Sequence, residues 1–326
     1  MKHHHHSGLF AAALCLSVAA AGTGLAYSVT DLLMRYALAR ERPKPMGFVS
    51  RLLSGSMGQN LFLQAVQDAD LSLARKTNET VCIRSKRDGV PLVGHIIVPP
   101  DPERVVIAAH GWRSSWTEAF GLLAGFLEGS GCAVVYIEQR GQNNSGGDTM
   151  GFGLLERYDC VDWANWAEAW WPEVPVYLYG ISQGATSVLL SAELGLPERV
   201  HGLIADCGFT SPKEMWEHFA RETMRLGPLT PFVSALANRC FSRILPGFDA
   251  GTSTTEALRN CGVPVLFLHG MEDRFVPAEM TMRNFAACAA PKKLLLVEGA
   301  DHGMCCFTGK EALEKALREF WEEYDG

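Results

Sequence analysis

The segment Gly180-Ile181-Ser182-Gln183-Gly184 places a serine between two glycines, two positions away on either side. It follows the apolar run Val176–Tyr179 and precedes a helical pattern. In that setting G-x-S-x-G marks a strained strand-to-helix turn with an exposed serine oxygen, and larger neighbours would clash in it. The start of the helix favours developing negative charge. A serine hydroxyl is a weak nucleophile near neutral pH and needs a base that is itself oriented by an acid. On such a turn the acid and the histidine follow the serine in that order. Asp273, in His269-Gly270-Met271-Glu272-Asp273, comes just past the apolar run Val265–His269 and is the expected acid. His302, in Gly299-Ala300-Asp301-His302-Gly303, comes after Leu294–Val297 and is the expected base. Glu272, Asp301 and Asp206 compete as acids. His269 competes as the histidine, but it precedes the acid and is expected to end a strand.

Acyl transfer also needs donors for the oxyanion. One is expected from the backbone N–H of Gln183, the residue after the nucleophile. The other is expected from Trp112, in the loop His110-Gly111-Trp112-Arg113-Ser114-Ser115, where a glycine lets the backbone come close. His110 reads as structural. The Trp112 side chain either lines an acyl pocket or packs beneath a cap.

Short β-rich runs must carry these loops: Thr80–Ile83, Leu92–Val98, Val105–Ala109, Ala133–Glu138, Val176–Tyr179, Leu203–Ala205, Val265–His269 and Leu294–Val297. From Val105 onward they are nearly continuous in apolar residues, as in strands covered on both faces of a parallel sheet. The first two suit an antiparallel hairpin at one edge. Helical patterns lie between the later runs, at Ser115–Glu128, Gly153–Trp170, Gln183–Leu194, Pro277–Cys288 and Lys310–Tyr324. That alternation predicts an α/β chain with a mostly parallel, doubly wound sheet. Residues 209–260 lack a strand and are broken by prolines, which predicts a small helical cap insertion. Residues 31–78 read as a helical linker and residues 79–326 as the main domain.

The net charge of −7 over 326 residues excludes a phosphate-binding surface, so no nucleic-acid partner is expected. Ten scattered cysteines form no CxxC pair, and neither a zinc site nor a disulfide scaffold is expected. Buried free thiols lean towards a reducing compartment. Residues 1–30 stand apart. An uncharged stretch from Ser7 to Thr30 has the length of a bilayer span and predicts a single N-terminal membrane anchor. Arg35, Arg40, Arg42 and Lys44 follow it and would keep the body on the cytoplasmic face. The alternative is a signal peptide, cleaved so that the body is secreted.

Taken in order, His110-Gly111-Trp112, the segment from Arg140 to Gly147, the Ser182 turn, Ala205-Asp206-Cys207-Gly208-Phe209, Asp273 and His302 resemble the bacterial membrane-anchored α/β-hydrolases of the cinnamoyl-esterase and BEM46-like group. The likeness runs from about Thr80 to the C-terminus. Gln139 departs from it, standing where many relatives carry another residue before the arginine. The resemblance implies an α/β-hydrolase fold and hydrolysis of a small-molecule carboxylic ester, with no cofactor and no metal. Apolar cap residues such as Met215, Trp216, Phe219, Phe232 and Phe241 suit either an apolar or aromatic acyl group or the cap's own core. Peptidase, amidase and acyltransferase chemistry share the same first half-reaction. A non-catalytic binding protein is the reading from outside enzymology, against which the intact serine, acid and histidine argue.

Overall fold

The computed structural model describes residues 22–40 and 57–325. Runs of valine, isoleucine and leucine without polar interruption settle where both faces are covered. Here they form an eight-stranded sheet of β1 (Glu79–Arg84), β2 (Pro91–Ile97), β3 (Arg104–Ala109), β4 (Cys132–Ile137), β5 (Val176–Ile181), β6 (Val200–Asp206), β7 (Val265–Gly270) and β8 (Lys292–Val297). Their spatial order is β1-β2-β4-β3-β5-β6-β7-β8. β1 and β2 form the antiparallel hairpin expected at the edge, and β2 meets β4 antiparallel. Every neighbour beyond that is parallel. All residues of β3, β4 and β7 are buried, including Arg104 and His269 at or near the ends of otherwise apolar runs.

Helices cover both faces. On one side α4 (Glu156–Trp170), α5 (Gln183–Ser191), α8 (Thr254–Arg259) and α9 (Ala278–Ala287) enclose a core that includes Ile107, Val135, Trp163, Val188 and Leu258. On the other, α2 (Met57–Ala74), α3 (Trp116–Gly129), α10 (Cys305–Thr308) and α11 (Lys310–Tyr324) enclose Phe120, Tyr136, Leu317 and Trp321. The interval between β6 and β7 breaks the alternation. It holds α6 (Pro212–His218), a π-helical turn at Phe219–Thr223, a 3-10 turn at Gly227–Leu229, α7 (Thr230–Ile244) and α8. Met215 and Phe241 from this interval are buried in a third apolar cluster with Phe152, Phe209 and Val276, whereas Met224 and Phe232 are exposed.

The membrane anchor expected at Ser7–Thr30 is corrected. Residues 7–21 of that stretch lie outside the described residues. Residues 22–38 form a helix, α1, that runs on past the expected end of the span. Among the described residues no helix is long and apolar enough to cross a membrane. The physical reason is on the surface of α1. Thr30, Met34 and Leu38, spaced four apart, are buried against the body, and Met34 and Leu38 join the third cluster. Asp31 pairs with Arg35 at 2.9 Å and with Arg243 of α7. A helix that gives one stripe to protein and carries an ion pair on the next is amphipathic, not lipid-facing all round. The placement of the body at a cytoplasmic membrane face loses its premise with it.

Candidate active site

β5 ends in a turn that only glycine permits. A Cβ on Gly180 would lie 2.2 Å from the Gly184 backbone, and one on Gly184 would lie 2.1 Å from the Ala109 carbonyl oxygen. Between them Ser182 adopts φ 57° and ψ −117°, left-handed backbone that a non-glycine residue keeps only when its surroundings impose it. The imposing contacts include a hydrogen bond from Ser182 N to Asp206 O at 2.8 Å. The turn aims Oγ away from the sheet and starts α5 directly behind it.

The loops after β7 and β8 bring the other two residues to this oxygen. His302 Nε2 lies 3.0 Å from Ser182 Oγ, and its Nδ1 lies 2.7 Å from Asp273 Oδ2. An ionised carboxylate only accepts, so Nδ1 carries a proton, and whenever the ring is neutral Nε2 is the acceptor for the serine hydroxyl. Asp273 Oδ1 accepts from the N–H groups of Phe275 at 2.9 Å and Val276 at 2.8 Å. The carboxylate is fully buried, and His269 Nε2 stands 3.1 Å from it. Burial works against its charge, but the His302 and His269 imidazoles outweigh that and hold Asp273 well below the usual carboxylate range. Burial pulls the His302 imidazolium down, yet its neighbours Cys207 and Asp273 raise it well above the ordinary histidine value. Burial pushes the Cys207 thiol up to about 11, so at neutral pH the lasting charge beside His302 is that of Asp273.

The competing residues have other partners. Asp301 accepts from the N–H groups of Arg274 and His302 and holds the loop backbone. Glu272 is exposed. Asp206 is buried with its carboxyl pushed up, mainly by burial, and it makes no hydrogen bond to His302. His269 ends β7 as expected, its Nε2 2.9 Å from Val276 O and its Nδ1 2.7 Å from Thr281 Oγ1. It braces the acid loop and does not reach the serine.

Gly111 passes close to Ser182. A Cβ there would sit 3.4 Å from Ser182 Cβ and 3.9 Å from Oγ. The N–H of Trp112, next in the loop, donates to no protein atom among the described residues. Gln183 opens α5, where the first-turn N–H groups have no intrahelical acceptor. Two donors are thus left beside Ser182. The Trp112 indole is tied to α1 and to the third apolar cluster. It donates to Ala37 O at 2.9 Å and packs against Tyr36 and Phe152.

Several supporting residues escape a motif reading. His110 is buried with its imidazole held down to about 4, chiefly by burial. Its Nδ1 faces Gly111 O at 2.8 Å, and its Nε2 accepts from Gln139 N at 3.1 Å. Gln139 also accepts from Ser187 of α5 at 3.2 Å, so it ties the loop after β3 to the helix that follows Ser182. Gln142 Oε1 accepts from Arg113 N at 2.6 Å. The available signal was the glycine-bounded polar segment from Arg140 to Gly147. The ligand atoms of Cys207, Asp273 and His302 lie within 4.8 Å of one another, which is the spacing of a metal cluster. The oxygens of Asp273 are already taken by N–H donors and imidazole, so the arrangement suits proton transfer better than coordination.

Residues 100–248 match the family model described as serine aminopeptidase, S33. The chain is similar to the uncharacterized protein YqkD of Bacillus subtilis, 25% identical over 236 residues that cover 71% of this chain and 75% of that one. It is also 41% identical over 69 residues to the bifunctional esterase/perhydrolase DCH of Acinetobacter calcoaceticus, covering 21% of this chain and 25% of that one. Among solved structures, the Pyrococcus furiosus esterase Pf2001 superposes with a TM-score of 0.61 at 20% identity, over 77% of this chain and 92% of that one. Together with the strand order, the structural likeness shows the α/β-hydrolase fold.

Proposed function

We propose that this chain is a serine hydrolase of the α/β-hydrolase superfamily that cleaves small-molecule carboxylic esters. The observation that carries the reading is the hydrogen-bonded line from Ser182 through His302 to Asp273, with the amides of Trp112 and Gln183 beside it. Ser182 Oγ attacks the ester carbonyl while its proton passes to His302 Nε2. Asp273 stabilises the imidazolium, and the two amides hold the oxyanion. The alcohol leaves with the proton from Nε2. Water then attacks the acyl-enzyme, gives a proton to Nε2, and the collapse of the second adduct returns a proton to Ser182. The helices at 209–260 are read as a cap over this site. The apolar cluster of Phe152, Phe209 and Trp216 beneath them suits an apolar or aromatic acyl group. The narrower kinship with cinnamoyl-type and BEM46-like esterases is part of this proposal and rests on the segment from Arg140 to Gly147.

The description of the matching family favours a second reading, peptide cleavage from an amino end. Such an enzyme needs carboxylates free to meet a substrate ammonium. The carboxylates of α6 and of the turn after it are engaged elsewhere: Glu214 with Arg283, Glu217 with Ser234 Oγ at 2.8 Å, and Glu222 with Arg221 at 3.0 Å. That weighs towards the ester. The test treats the full chain and Ser182→Ala with a fluorophosphonate, maps the label, and compares p-nitrophenyl esters with aminoacyl p-nitroanilides. Label on Ser182 with turnover of esters alone supports the proposal. Faster release from the anilides would replace it with the peptidase reading, and the absence of both label and turnover in a folded chain would leave a binding protein.

A further inference from the structure

The C-terminal end of α1 meets the loop assigned to the oxyanion. The last carbonyls of a helix have no intrahelical donor, and the dipole there favours a cation. In α1 the donors come from that loop. Arg113 donates to Ala39 O at 2.8 Å and to Tyr36 O, and the Trp112 indole donates to Ala37 O at 2.9 Å. The Arg113 guanidinium also lies 5.0 Å over the Tyr36 ring.

The chain leaving α1 grips a second segment, Asn143 to Met150. Leu38 O accepts from Met150 N at 2.7 Å, and Arg40 N donates to Asp148 O at 2.8 Å. The Arg40 guanidinium donates to the carbonyls of Asn143 at 2.6 Å, Gly147 at 3.3 Å and Ser145. That segment, with Gln142 just before it, in turn holds the oxyanion loop, through Gln142 Oε1 to Arg113 N at 2.6 Å and Asn143 Nδ2 to Ser114 O at 2.9 Å. The loop between Gly111 and Ser114 is therefore clamped from two sides, and both sides pass through residues 36–40. Arg113 itself has φ 55°, a backbone state that such bracing must maintain.

We propose that α1 is a positioning element for the oxyanion-binding loop, with Arg113 and Arg40 as the residues that couple it to the Trp112 N–H. The inference rests on the reading of Ser182 as a nucleophile with Trp112 as an oxyanion donor. Its chemical content is specific. A donor aimed at the oxyanion acts on charge that exists only in the transition state, so a displaced donor costs kcat and leaves KM nearly alone.

The experiment uses the full chain and Arg113→Ala, Arg113→Lys and Arg40→Ala. Active sites are counted by fluorophosphonate labelling, and kcat per labelled site, KM for a p-nitrophenyl ester and Ki for a trifluoromethyl ketone are measured. The ketone binds as a tetrahedral oxyanion and reads the donors directly. Arg113→Ala is expected to lower kcat per site and ketone affinity together by about 10- to 100-fold, at or below the ~100- to 1,000-fold cost of losing a donor outright. KM should stay within about 2-fold. Arg113→Lys should recover part of the loss, since the ammonium reaches fewer carbonyls. Arg40→Ala, whose guanidinium donates among the described residues to carbonyls at 143–147, carries the test if Arg113→Ala does not fold. Wild-type kcat per site and ketone affinity in the variants, whatever happens to their melting temperature, would overturn the inference while leaving the hydrolase reading intact. A wild-type chain that takes no label and turns over no ester removes that reading and this one with it.

Discussion

The buried carboxylate of Glu156 accepts a hydrogen bond from the Gln183 side chain at 3.1 Å, and so reaches the residue that follows the nucleophile. The same carboxylate accepts from Gly151 N at 2.7 Å and Gly153 N at 2.8 Å, fastening the turn before α4 to the start of α5. Burial pushes its pKa up, against the pull of those N–H groups and of Arg140. Glu156→Ala is expected to strand these donors at about 1–3 kcal/mol each where water does not replace the carboxylate. Glu156→Gln keeps one acceptor oxygen and should cost less. Thermal melts of the two variants check the order, and a melting temperature for Glu156→Ala equal to that of wild type would refute it.

Asp273→Asn isolates the electrostatic part of the proposed triad. Its neutral amide retains the shape but can present an N–H to His302, which favours the wrong tautomer. A fall in kcat of up to ~10,000-fold is expected, the scale known for this change in serine proteases. The pH profile adds a signed test. With His302 raised above its ordinary value, the wild-type acid limb of kcat/KM should lie above the usual histidine range, because only the neutral imidazole accepts the serine proton. Removing the Asp273 charge takes away the lasting support for the imidazolium, so the limb should move to lower pH. An unchanged limb would show that another group sets it.

Gly111 and Gly184 separate room for the substrate from room for the fold. An alanine methyl at Gly111 meets Ser182 Cβ at an ordinary 3.4 Å, so the chain should fold and melt near wild type. The methyl nonetheless fills space beside Oγ, where the proposed reaction needs the substrate carbonyl, and turnover of a p-nitrophenyl ester should fall steeply. At Gly184 the same methyl meets backbone oxygen at 2.1 Å, which no rotamer relieves. Gly184→Ala is therefore expected to lose several kcal/mol or fail to accumulate folded. Calorimetry and turnover on the pair should give opposite profiles, and equal stability in both would count against the elbow geometry.

The sheet was legible because strands covered on both faces are mostly apolar, and from β3 to β7 the polar residues, Arg104, His201, Asp206 and His269, stand at or near strand ends. Ser182, Asp273 and His302 could be read as candidates because a tight turn admits few residue types and each partner follows a strand. Glu156 and Gln139 were not legible. A buried carboxylate and a buried amide earn their places through hydrogen bonds to distant backbone, and no local spacing announces those. The N-terminus misled for a related reason. Ala, Leu and Val dominate from Ser7 to Thr30, and hydropathy alone cannot tell lipid from a protein partner. The deciding pattern of Thr30, Met34 and Leu38 begins where that apolar stretch ends, and the partners of α1 lie far along the chain, at Trp112, Arg113, Met150 and Arg243.

Leu38 tests whether that helix is part of the body. Its side chain is fully buried, in one cluster with Met34, Phe152 and Leu154, and its carbonyl is bonded to Met150. Truncating a buried leucine removes its transfer free energy and leaves a cavity, together about 2–5 kcal/mol. If α1 merely tethered the chain to something else, Leu38→Ala would leave the melting temperature of the rest untouched. As part of the core it should lower the midpoint of the whole cooperative transition, with Leu38→Met costing less than about 1.5 kcal/mol because volume is kept. The neighbouring Leu32, 46% exposed on the same helix, supplies the control, and Leu32→Ala should shift the midpoint little. Denaturant unfolding of these variants decides the matter: equal midpoints for Leu38→Ala and Leu32→Ala would detach α1 from the fold.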